Sequence, residues 1–122
     1  LPSNLIITAV KLKGISTDKQ LIEKKQLQML EQKKISQPSQ IKTCGSTFKN
    51  LNNEKKAWQL IKETGCDKFF EGDAAISEKH CNFFVNKGNA KFEDMINLIK
   101  FVADCVFKKT GIKLETEIKI IE

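Results

Sequence analysis

The residues with chemistry to offer are few. The stretch Cys44-Gly45-Ser46-Thr47-Phe48-Lys49-Asn50 places a hydroxyl, an ammonium and a carboxamide within seven residues. A glycine before Ser46 lets a ligand or another backbone approach closely, so the stretch reads as the floor of a polar binding site. His80, the only histidine, sits in the polar run Ser77-Glu78-Lys79-His80, and Glu117 shares one face of an alternating segment with Glu115 and Lys119. Each also has an ordinary reading: a turn leading into a helix, a cap, a solvated loop, the wet face of a strand. Spacing does not decide between them, because the chain has no Gly-rich phosphate loop, nucleophile elbow or metal motif. Cys44, Cys66, Cys81 and Cys105 lie far apart with no CxxC pair, which argues against zinc and for free, partly buried thiols in a reducing cytoplasm.

The elements that must position these groups mix helix and strand without a βαβ rhythm, so the class is α+β. Residues 4–12 read as a strand, which needs a partner inside this domain or in another one. Ser16-Thr17-Asp18 offers N-cap oxygens for a polar helix to about Lys34, burying a narrow stripe of Leu21, Ile22, Leu27, Met29 and Leu30. Residues 35–43, with Pro38, form a linker-like loop. Asn53 can cap a helix from Glu54 to Thr64 whose buried face is Ala57, Trp58, Leu60 and Ile61, with Gly65 as its stop. Ala74–Ile76 and Asn82–Val85 are short strands. Phe92, Met95, Ile96, Ile99, Val102, Ala103 and Val106 recur at helical spacing over residues 92–109, with Gly111 ending the helix. Leu114 to Ile121 alternates as a half-buried strand.

Composition excludes several classes. At 122 residues, 40% hydrophobic and 30% charged, the chain fits one folded domain rather than a disordered segment. No apolar run approaches the roughly 20 residues of a membrane span. The apolar residues 5–10 are too short a run, without a cleavage-like tail, for a signal peptide. The net charge is +6, yet all 21 basic side chains are lysine, interleaved with Glu and Asp. Without arginine forks, aromatic RNA-binding patterns or helix-turn-helix spacing, nucleic acid is not an expected partner.

Four blocks decide what spacing cannot. They are Gly45–Asn50; Ala57-Trp58-Gln59-Leu60-Ile61 ending at Gly65; Ile76–Phe83 with Asn86–Ala90; and Leu114–Ile121. In this order they resemble the C-terminal part of the UDP-N-acetylenolpyruvoylglucosamine reductases, the MurB flavoenzymes of peptidoglycan synthesis. Ile6–Leu12 looks like the last strand of that family's flavin domain, and Gln37-Pro38 like the entry to its C-terminal domain. Two departures affect loops: Leu51 stands where the family usually has Pro, and Gly72-Asp73 where it has Gly-Gly.

The resemblance implies a division at residue 14. Residues 1–14 would be the last strand of an FAD-binding domain otherwise outside this chain, and residues 15–122 the substrate-binding domain. In the complete family enzyme, NADPH reduces FAD, and the flavin reduces the enolpyruvyl group of UDP-N-acetylglucosamine enolpyruvate to give UDP-N-acetylmuramate in the cytoplasm. Ser46 matches the proton donor, and Glu117 the glutamate that binds and polarises the carboxylate end. Asn50 and His80 fall on substrate-contacting positions, and Lys49 lies near the diphosphate. No FAD-binding residue and no metal ligand is expected here, and the family's catalytic arginine has no counterpart in an arginine-free chain. The chain alone is therefore expected to be inactive unless a flavin domain is supplied in cis or in trans. The competing expectation is a non-catalytic module that only binds nucleotide sugar or a partner.

Overall fold

The strongest pattern in the sequence becomes the longest helix. Leu98, Ile99, Val102 and Val106 are buried along one side of a helix spanning Phe92–Thr110, with Glu93 and Asp94 in its first turn and Lys108 and Lys109 in its last, each charge complementing the helix dipole. The computed structural model describes residues 5–50 and 55–121. In chain order the elements are α1 (Lys19–Ser36), β1 (Lys42–Ser46), α2 (Ala57–Glu63), a 3-10 turn at Cys66–Lys68, β2 (Phe70–Glu71), β3 (Ala74–Ile76), β4 (Phe83–Asn86) and α3 (Phe92–Thr110). The strands form one antiparallel sheet in the order β1-β4-β3-β2. This is the α+β class expected.

Period-two alternation gives the sheet two faces. Ala74, Ile76 and Phe84 join one core with Leu98, Ile99, Val102 and Val106 of α3 and Ala57, Leu60 and Ile61 of α2, and Phe48 and Leu114 complete it. The intervening Ala75, Phe83 and Val85 are also buried, on the opposite face. The site therefore rests on a sheet whose central strand, β4, is covered on both sides.

Several elements depart from the sequence reading. Residues 5–18 are exposed and join no strand; a lone strand has no ladder, and none of the described residues offers one. Helix α1 begins as expected, with the Asp18 carboxylate accepting the Leu21 N–H at 3.1 Å, but buries no residue; its last turn is reached only from the surface, where Lys79 Nζ donates to the Lys34 carbonyl at 3.2 Å. Part of the expected linker is instead strand β1, drawn in by pairing with β4. Trp58 remains 39% exposed at the edge of the α2 face. The terminal segment makes one bridge, Thr116 to Phe48, rather than a full strand. Helix α2 starts at Ala57 with Lys56 as its N-cap, three residues later than the helix from Glu54 capped by Asn53 that was expected; Asn53 itself and the Leu51 departure lie outside the described residues.

The thiols also differ. Cys66 and Cys105 form a disulfide, leaving Cys44 exposed and Cys81 buried as free cysteines. The pairing arises because the 3-10 turn packs against α3, bringing Cα atoms 39 residues apart in sequence to 6.5 Å. Among the described residues, no helix is long and apolar enough to cross a membrane. No cluster of metal-ligating side chains occurs among them either.

Candidate functional site

Ser46 is aimed by an irregularity in β1. Thr43 pairs with Val85 and Ser46 with Phe83, so three steps along β1 match two along β4. The extra residue is a β-bulge, and Gly45 sits in it at φ 85°, a conformation that costs a side chain dearly. A Cβ at Gly45 would meet nothing within 4 Å, so the glycine is there for its backbone angle and not, as the sequence suggested, for close approach. Directly paired residues of antiparallel strands share a face, which places Ser46 with Phe83 on the side away from α3. Its hydroxyl takes no hydrogen bond from the described residues, and the residue is half-buried.

The carbonyl of Thr47 accepts the Glu117 N–H at 2.8 Å, and the Lys49 N–H donates to the Glu115 carbonyl at 2.8 Å. This short ladder brings the terminal segment alongside the Ser46 stretch. Glu117 is exposed there, its backbone bonded to Thr47, the residue after Ser46, and the Ser46 and Glu117 side chains share no hydrogen bond. Lys49 is held by an exposed ion pair, Nζ to Glu115 Oε2 at 3.3 Å.

His80 reaches the same face from the β3–β4 connection. Its ring packs edge-on against Phe83 at 4.8 Å and lies 6.2 Å from Trp58. Burial lowers the imidazole pKa below its ordinary value, partly offset by a backbone hydrogen bond. Nδ1 accepts the Asn82 N–H at 3.2 Å, so the neutral ring carries its proton on Nε2. His80 thus meets a ligand at neutral pH as a hydrogen-bonding group and not as a cation. Asn50 is placed differently: its Oδ1 accepts the Ala57 N–H at 3.3 Å, so it caps α2.

Sequence reasoning missed the residue that ties these pieces together. Asn82 is 2% exposed. Its Oδ1 accepts the Phe48 N–H at 2.9 Å and its Nδ2 donates to the Phe48 carbonyl at 2.8 Å. Its own carbonyl accepts the Thr47 N–H at 2.8 Å. One carboxamide therefore extends the β1 pairing and locks the Ser46 stretch to the His80 loop. The available signal was a single amide opening the apolar run Phe83-Phe84-Val85, since a buried polar group needs partners.

The arrangement brings Ser46, His80 and the Glu117 backbone to one region and leaves Asn50 with a capping role. Residues 37–121 match the C-terminal domain of UDP-N-acetylenolpyruvoylglucosamine reductase. The chain belongs to this reductase family. A reductase of this name from Pelagibacter ubique is 50% identical over 100% of the chain, which spans 41% of that protein. One from Wolbachia pipientis wMel is 40% identical over 99% of the chain and is again spanned to 41%. The crystal structure of the MurB reductase from Thermus caldophilus superposes with a TM-score of 0.68 at 32% identity, covering 84% of this chain and 35% of that one. The chain thus corresponds to the C-terminal part of proteins more than twice its length.

Proposed function

We propose that this chain is the substrate-binding portion of a cytoplasmic UDP-N-acetylmuramate dehydrogenase, which reduces UDP-N-acetylglucosamine enolpyruvate during peptidoglycan precursor synthesis. The supporting observation is the Gly45 bulge, which presents a Ser46 hydroxyl without a partner among the described residues beside the segment carrying Glu117, in a chain of this family. In a reducing cytoplasm Cys66 and Cys105 would stand as neighbouring thiols.

FAD, reduced by NADPH, would supply the hydride in the complete enzyme. The described residues do not fit FAD: the chain has no arginine, and its roughly 500 Å³ cavity lies on the α3 side, without Ser46, His80 or Glu117 in its lining. The flavin must be held by a separate domain, joined in cis or supplied in trans, and residues 1–14 would complete the sheet of that domain.

The residues present have definite tasks. Hydride addition to the enolpyruvyl double bond leaves negative charge on the neighbouring carbon, shared with the substrate carboxylate. Ser46 delivers a proton to that carbon; a hydroxyl does so only when held against it with water excluded. Glu117 polarises the carboxylate end, which requires a proton or a cation between the two carboxyl groups. His80 donates through Nε2–H to a polar substrate group, Asn50 contacts the substrate through its carboxamide, and Lys49 attracts the diphosphate.

The test combines the chain with the N-terminal portion of the Pelagibacter relative. Substrate-dependent NADPH oxidation is expected from the combination and not from the chain alone. Ser46→Ala should slow substrate reduction by roughly 10²-fold or more while flavin reduction by NADPH continues unchanged. Wild-type rates in the variant would remove Ser46 from the role; absence of reconstituted activity would favour a non-catalytic module.

A further inference from the structure

A cavity of about 500 Å³ opens between the β1–β4 end of the sheet and the first half of α3, within the range of small-molecule sites. The β1 bulge separates it from the Ser46 face: Lys42 pairs with Asn86, and both line the cavity with Cys44 and Phe84, whereas beyond the bulge Ser46 pairs with Phe83 on the opposite face. The floor is apolar, made by Phe84, Met95, Ile99 and Ile118. Phe92 lies at the rim, 59% exposed although its place in the helical stripe points it at a core.

The polar lining is one-signed. Among the described residues, Lys42 and Lys91 are its only charged members and no carboxylate lines the cavity. Both flank Asn86: Lys42 is its partner across the sheet, and Lys91 follows Ala90, whose N–H and carbonyl are both held by the Asn86 side chain. Neither lysine makes an ion pair among the described residues. Thr47, 2% exposed, also lines the cavity, and its hydroxyl has no hydrogen-bond partner among them.

We propose that this cavity binds a small amphipathic organic anion, with its apolar body on Phe84, Met95, Ile99 and Ile118 and its charged head at Lys42 and Lys91. The site is separate from the Ser46 region and does not rest on the reductase reading.

Cys44 lines the cavity as an exposed free thiol and reports its occupancy. Cys81 is an internal reference, because burial raises its thiol pKa, with the nearby Asp67 carboxylate adding to the shift. The experiment measures iodoacetamide labelling of Cys44 in the 122-residue chain by peptide mass spectrometry, with decanoate or decanol titrated below micelle formation. Decanoate is expected to slow Cys44 labelling saturably, by about tenfold at ten times its Kd, without changing Cys81 labelling. Decanol should protect more weakly. A Lys42→Gln/Lys91→Gln double variant, altering only exposed side chains, should weaken decanoate about fivefold, the scale of two exposed ion pairs, and leave decanol unchanged. Absence of protection, equal protection by decanol, or undiminished protection in the double variant would each overturn the proposal. So would loss of protection once the N-terminal portion of the Pelagibacter relative is added, which would show that the rest of the enzyme covers this face.

Discussion

Helices α1 and α3 are almost equal in length, 18 and 19 residues, and both contain Leu, Ile and Met, yet one buries nothing and the other anchors the core. The apolar residues of α1 are scattered around its circumference, with Leu21 58%, Leu27 63% and Met29 60% exposed. Those of α3 fall on one side, where the sheet, α2 and the 3-10 turn meet them. Helix formation and helix burial are thus separate achievements. The first needs good helix formers and a cap; the second needs one stripe and a surface to cover it. In this molecule the site depends on the second, since Ser46, Lys49, Asn50, His80 and Glu117 all lie within residues 37–121 and none lies on α1.

Leucine truncations on the two helices test this contrast most strongly. Leu98→Ala should lower stability by about 2–5 kcal/mol in urea unfolding, because the side chain is 2% exposed and its removal leaves a cavity. Leu27→Ala should change it by less than about 0.5 kcal/mol. Equal losses would mean that α1 packs on the rest of this chain in solution.

A smaller effect separates the core from the site it carries. Asn82→Ala removes both bonds to the Phe48 backbone and leaves a buried N–H and carbonyl with no side-chain partner, at about 1–3 kcal/mol for each group not rescued by water. The loss should be accompanied by faster amide exchange at Thr47 and Phe48, with the protection of α3 retained. Uniform loss of protection across α3 would show that the Ser46 stretch and the helix unfold as one unit.

The parts legible in the sequence were those with a repeating signal. The α3 stripe, a cap within Ser16-Thr17-Asp18, Gly111 as a stop, the Ala74–Ile76 strand and, within a residue, the Asn82–Val85 strand observed at Phe83–Asn86 were all readable from period or punctuation. Leu98 and Cys105 escaped because the buried face of α3 is widened on one side by the 3-10 turn, a neighbour that local sequence does not announce. Strand β1 escaped because Lys42-Thr43-Cys44-Gly45-Ser46 has no alternation; its partner β4 and the bulge make it a strand. For the candidate site, residue types and the family resemblance pointed to Ser46, while the aim of its hydroxyl depends on the register of β1 against β4. Asn82 has the same cause: its importance lies in the backbone of Phe48, 34 residues away in sequence.

The smallest predicted effect belongs to α1 itself. Asp18→Ala deletes the carboxylate that accepts the Leu21 N–H, an exposed cap of about 1 kcal/mol. In a helix that buries no residue, that change should appear locally. Far-UV circular dichroism should report lost helix, and amide exchange over residues 19–24 should quicken, while the urea midpoint followed by Trp58 fluorescence stays where it was. The cap stabilises a helix that can fray without disturbing the core, because no buried contact couples the two. A shift of the midpoint with the loss of α1 helix would show instead that α1 folds together with the sheet and α3.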